Sequence, residues 1–171
     1  YNGMVGKQES ATTALANVQA TYQRRADLLP NLTKTVKAYA KHEKETFEAV
    51  TKARTEATQI KLDAESLTPE KLAAFQKAQG DVSAAFGRLM AIAENYPELK
   101  ASENFKDLQV QLEGTENRIN EARQKYNKAV QAYNQSVRTM PNVLVAGIFG
   151  FEKMSKFEAA EGSEKAPDLD I

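Results

Sequence analysis

Along residues 105–140 the chain repeats at alternating steps of three and four: Phe105, Leu108, Leu112, Thr115, Ile119, Ala122, Tyr126, Ala129, Tyr133, Val137 and Met140. Only Thr115 is polar, so this is one narrow face of a long helix. A second stripe runs Leu72, Phe75, Gln79, Val82, Phe86, Leu89, Ala93 and Tyr96. The N-terminal stretch gives Met4, Gln8, Ala11, Leu15, Val18, Tyr22, Arg25 and Leu29. A fourth stripe holds Leu32, Val36 and Tyr39, lapses into polar residues from His42 to Glu45, then resumes with Phe47, Val50, Ala57 and Ile60. No segment shows the β-branched alternation of a strand.

Proline punctuates these stripes at Pro30, Pro69, Pro97 and Pro141. It is tolerated in a helix's first turn or beyond its end, not in its interior. Thr68 before Pro69 reads as an N-cap, and so does Ser102 before Glu103. Pro30 admits two readings. One is a kinked helix from about residue 2 to 60, roughly 90 Å long at 1.5 Å per residue. The other is a reversal at residues 27–31, which gives helices of comparable length and buries the stripes better. The second predicts an all-α, up-and-down antiparallel four-helix bundle over residues 1–160, with helices near 2–28, 31–61, 69–95 and 103–139. The most apolar stretch, 143–151, is then a short C-terminal segment packing on one end. It is too short to span a bilayer. Residues 161–171, charged and small, form a tail.

Composition narrows the chemistry. Lysine plus arginine is 23 and aspartate plus glutamate is 23, so no basic balance points to nucleic acid. The absence of cysteine excludes thiol catalysis and cysteine-ligated metal. The lone histidine, His42, belongs to no Glu-x-x-His or His-Glu-x-x-His motif, which excludes the usual di-iron bundles and zincins. His42 reads as a solvated residue. Gly80 and Gly87 form no phosphate loop, and close helix packing is the simpler reason for them. The carboxylate pairs Glu113/Glu116 and Glu45/Glu48 read as solvated faces. No catalytic residue, metal site or cofactor is therefore expected.

Arg24 and Arg25 form either an anion or partner site or a local ion pair at a helix end. Residues 95–100 form a turn. The chain opens at Tyr1 with Met4 and Val5 already on a stripe, which is read as a natural N-terminus removed together with an anchor or signal.

The strings Tyr-Gln-Arg-Arg-Ala-Asp-Leu-Leu-Pro-Asn-Leu (22–32), Val-Lys-Ala-Tyr-Ala-Lys-His-Glu-Lys-Glu-Thr (36–46), Glu-Asn-Tyr-Pro-Glu-Leu-Lys-Ala (94–101), Gly-Thr-Glu-Asn-Arg-Ile (114–119) and Val-Ala-Gly-Ile-Phe-Gly-Phe (145–151) resemble the LemA family of bacterial proteins. The resemblance covers nearly the whole chain. It implies a four-helix bundle behind a short N-terminal membrane anchor, with no enzymatic activity or functional residue to carry over.

In that topology the anchor, the loop near 62–68 and the segment after Pro141 share the membrane end. There Ile148, Phe149 and Phe151 either dip into the interface or fold back to cap the core. The opposite tip presents Arg24, Arg25, Asp27, Asn31, Asn95 and Tyr96 to an unknown protein partner. The expected function is a non-enzymatic, membrane-tethered interaction or scaffold protein of the cell envelope. The alternatives are an enzyme or metal-binding bundle without a visible motif, and a self-associating subunit.

Overall fold

Among the described residues the stripes become helix, with Tyr39, Ile60 and Tyr96 just outside the helix ends. The computed structural model describes residues 1–64, 66–139 and 142–157, and of residues 142–145 the backbone alone. Its helices are α1 (Asn2–Lys37), α2 (Lys44–Gln59), α3 (Pro69–Ala93), α4 (Pro97–Ala101), α5 (Glu103–Arg138) and α6 (Asn142–Phe149). The chain is all-helical among the described residues. Met140, Pro141 and the expected tail 161–171 lie outside them.

The principal correction concerns Pro30, which lies inside α1 and reverses nothing. Its ring faces solvent, while Leu29, Leu32 and Val36 around it are at most 1 % exposed. An interior proline costs about 3 kcal/mol. Burying three such side chains returns about 1.5–3 kcal/mol each, so packing wins. The chain turns instead at residues 38–43, inside the polar gap of the stripe. Lys34 and Lys37 suit the negative end of the α1 dipole there. Tyr39, expected on the apolar face, is exposed, and Ala40 takes the buried place. The second helix consequently begins at Lys44 rather than near 31.

Both expected caps form. The Thr68 hydroxyl accepts from the Lys71 N–H at 3.1 Å, with Pro69 in the first turn. Ser102 Oγ accepts from the Phe105 N–H at 3.3 Å. Gly80 and Gly87 face open space, so close packing does not explain them.

Cross-chain contacts set the helix directions. Arg25 meets Glu116, while Tyr1 before α1 meets Phe151, which lies against Tyr133 near the end of α5, so α1 and α5 run antiparallel. Arg54 of α2 meets Asp27, and the Gln79 and Ser83 side chains of α3 meet Arg25. The four long helices thus overlap around the C-terminal half of α1. One core cluster fills that end with Leu32, Val36, Phe47, Val82, Phe86, Leu89, Leu99 and Phe105.

The loop after α2 runs along the N-terminal half of α1: Gln19 grips Leu62, and Asp63 and Ala64 lie beside Gln8, Glu9, Thr12 and Thr13. It thus lies toward the Tyr1 end of α1, about two helical turns short of Tyr1 itself. Between Gln19 and Gln8 this loop, rather than α2, flanks the α1–α5 pair. A two-helix stem cannot cover its own apolar stripe. Leu62 and Leu72 help cover it where the loop ends, in a second cluster with Leu15, Tyr22, Phe75, Ile119, Tyr126, Val130 and Phe157. Further along, the chain after α6 closes the stem.

Candidate functional site

The expected tip residues do not gather. Asn95 lies exposed and Tyr96 half-buried beside α4, at the end shared with the 38–43 turn. Arg24, Asp27 and Asn31 lie exposed along α1, well short of that turn. Asp27 accepts from Gln23 Nε2 at 2.9 Å and lies 3.7 Å from Arg54.

Arg25 is no surface residue at all. Its side chain is 4 % exposed, at the level where the two core clusters meet. Nη1 donates to Ser83 Oγ at 2.9 Å and to Glu116 Oε1 at 3.1 Å. Nη2 donates to Gln79 O at 2.8 Å and Gln79 Oε1 at 3.0 Å. The guanidinium also lies 5.2 Å from the Tyr22 ring centroid. A planar fork of five donors serves these four acceptor atoms at once, where a lysine ammonium offers only three donors from a single point. Gln79, the polar member of the α3 stripe, is buried for the same reason. Arg25 therefore ties α1 to α3 and α5 and sets their register, rather than meeting a partner. Burial raises the Tyr22 phenol above its ordinary range, against the pull of Arg123 and Arg25.

At the other end, Ile148 is 78 % and Phe149 58 % exposed. Tyr1, itself 56 % exposed, lies tilted with its ring 4.5 Å from that of Phe149 and edge-on at 6.0 Å from that of Phe151. Phe151 is half-buried and lies 6.5 Å from the Tyr133 ring. The structure thus brings the three expected residues to one end and adds Tyr1, which the sequence did not single out. Ala146 turns inward at 3 % exposure, so α6 packs by one face and opens the other to solvent. Gly150, at φ +73°, ends α6, and the Phe151 N–H reaches Ala146 O at 2.9 Å.

Beyond Gly150 an extended strap runs back along α5. Asn134 donates to Met154 O at 3.0 Å and accepts from Met154 N at 2.9 Å. Asn127 repeats this with Phe157, at 3.2 Å and 2.9 Å. The Tyr126 hydroxyl donates to Ser155 O at 3.0 Å. Phe157 packs edge-on against Tyr126 and Phe75, under the Arg123 guanidinium. Sequence reading missed both asparagines, because a single amide beside an apolar stripe looks like any surface residue.

The other candidates do not converge on a site, and Glu48 only faces Lys44 on its own helix, at 3.9 Å. His42, Glu45, Glu48 and Glu113 are exposed. Among the described residues no three histidine, cysteine or acidic side chains converge as a metal site. A depression of about 210 Å³ beside Gln79 is lined by Gln19, Tyr22, Gln23, Phe75 and Lys61, without a carboxylate. No helix among the described residues is long and apolar enough to cross a membrane.

These features define an all-helical protein whose buried polar groups hold helix register and grip backbone. The chain belongs to the LemA family, whose family model matches residues 14–170. It is 29 % identical over 174 residues to magnetosome protein MamQ of Magnetospirillum gryphiswaldense. It is 30 % identical over 175 residues to magnetosome proteins MamQ 1 and MamQ 2 of Paramagnetospirillum magneticum. Each match covers 92 % of this chain and 64 % of the relative, so the chain spans under two thirds of their length.

Proposed function

We propose that this chain is a non-enzymatic, membrane-tethered interaction or scaffold protein of the bacterial cell envelope, an up-and-down four-helix bundle extended by the α1–α5 stem. The observation that carries this reading is the apolar end formed by Tyr1, Ile148 and Phe149, each more than half exposed. Water penalises such a cluster, and aromatic rings are favoured at the bilayer interface. The anchor implied by the LemA resemblance would precede Tyr1, so tether and apolar end would share the membrane side. The 36 residues of α1 then hold the opposite end about 54 Å away. Partner recognition falls there, around Asn95 and Tyr96, with Arg24, Asp27 and Asn31 on the outer flank of α1.

Flotation with vesicles of phosphatidylcholine and phosphatidylglycerol tests the reading. The wild-type chain is expected to float with the vesicles, and Phe149→Asp, at an exposed site, to stay below. Equal flotation of the two, or none by either, refutes it.

A further inference from the structure

The strap and its groove have the geometry of a peptide-recognition site. Asn127 and Asn134 are seven residues apart, which is about 10.5 Å along α5. Met154 and Phe157 are three residues apart, which in extended chain is about 10 Å. Two turns of helix therefore match three residues of strap, and each carboxamide reads both the N–H and the C=O of one strap residue. Asn134 is 7 % exposed, a buried polar group whose bonding is completed by backbone from another segment. Main-chain pairing of this kind supplies affinity, and side-chain pockets supply specificity. The specificity lies in Phe157, which is 5 % exposed and packed against Phe75, Tyr126 and Arg123. Met154 is a half-buried second anchor beside the same cluster. What the groove reads is thus an extended Met-x-x-Phe segment.

The strap adds no helix of its own. It is joined to α6 through Gly150, at φ +73°, where the backbone reverses. A short element docked by its own contacts and joined through one reversal can dock equally on an identical chain. We propose that the groove along Tyr126, Asn127 and Asn134 is an exchangeable recognition site, and that a second copy of this chain supplies the Met154–Phe157 segment in trans. The site is independent of the membrane reading above, since the groove lies on the flank of the α1–α5 stem. Such exchange would join scaffold copies side by side, with no new surface.

Complementation between two full-length variants tests it. Asn127→Ala with Asn134→Ala leaves a strap donor with a weakened groove. Met154→Ala with Phe157→Ala leaves a groove acceptor with no anchors. Sedimentation of the equimolar mixture is expected to show a complex absent from either chain alone. If the mixture sediments as the sum of its parts, with both chains helical by circular dichroism, the proposal fails. It fails too if the acceptor binds free 151–157 peptide but not the donor chain. Should a variant not fold, hydrogen exchange on the wild-type chain decides. The Met154 and Phe157 amides are expected to exchange at least about 100-fold faster than Val130, through local strap release. Exchange at the Val130 rate would mean that the strap leaves only on unfolding, which overturns the proposal.

Discussion

Replacing Arg25 by alanine is the sharpest probe of the packing. The guanidinium is 4 % exposed and donates four hydrogen bonds, two of them to Gln79. Breaking a buried charged pair costs about 3–5 kcal/mol when the abandoned partner stays buried. Here the Glu116 side chain is 43 % exposed and can hydrate, so its share is small. Gln79 is 6 % exposed and keeps its side-chain oxygen indoors without a donor, which costs about 1–3 kcal/mol. The lost aliphatic stem and its contact with Tyr22 add about 1 kcal/mol. Arg25→Ala is therefore expected to lose about 2–4 kcal/mol, and Glu116→Ala, which leaves the buried Arg25 charge with three of its four hydrogen bonds but without its carboxylate, about 1–3 kcal/mol. Arg25→Met with Gln79→Leu should recover most of the Arg25→Ala loss, because no buried side-chain acceptor is left behind and the Gln79 carbonyl keeps its place in the α3 helix. Urea unfolding followed by circular dichroism measures all three. A cost below about 1 kcal/mol for Arg25→Ala refutes the reasoning.

Pro30→Ala restores a helix N–H on an exposed face and is expected to raise stability by about 1–3 kcal/mol in the same assay; a loss would mean that the proline shapes α1. Gly80→Ala and Gly87→Ala, both facing open space within α3, should each add up to about 1 kcal/mol; destabilisation would mean that a side chain there meets resistance. Burial holds the Tyr126 phenol up at about 12. The folded state thus keeps its proton while the unfolded chain loses it, so stability is intact below pH 10 and falls as pH rises from about 10 toward 12. Alkaline melts should show this fall, smaller in Tyr126→Phe; identical slopes would place the titration elsewhere.

The stripes were legible because a buried helix face repeats at a period that no other element shares. Arg25 and Gln79 even occupied stripe positions, although a polar residue on an apolar face does not reveal its partner on another helix. Pro30 misled for a physical reason. Its cost is local and visible in sequence, while the burial of Leu29, Leu32 and Val36 that outweighs it is tertiary. The true reversal at 38–43 contains neither glycine nor proline, and its one signal was the polar gap after Tyr39. That error moved Arg24, Asp27 and Asn31 from a loop onto a helix flank. The apolar residues 148, 149 and 151 were found by composition alone. The asparagine clamps were not, since their role depends on backbone brought back by Gly150.

The chain has no cysteine, so a single introduced thiol carries a probe without background. Ile148→Cys and Asn95→Cys, each labelled with an environment-sensitive fluorophore, report the two ends separately. With phosphatidylcholine–phosphatidylglycerol vesicles, the probe at 148 is expected to shift to the blue and the probe at 95 to stay unchanged. A shift at 95 without one at 148, or no shift at either, would contradict an account in which the end formed by Tyr1, Ile148 and Phe149 meets the membrane.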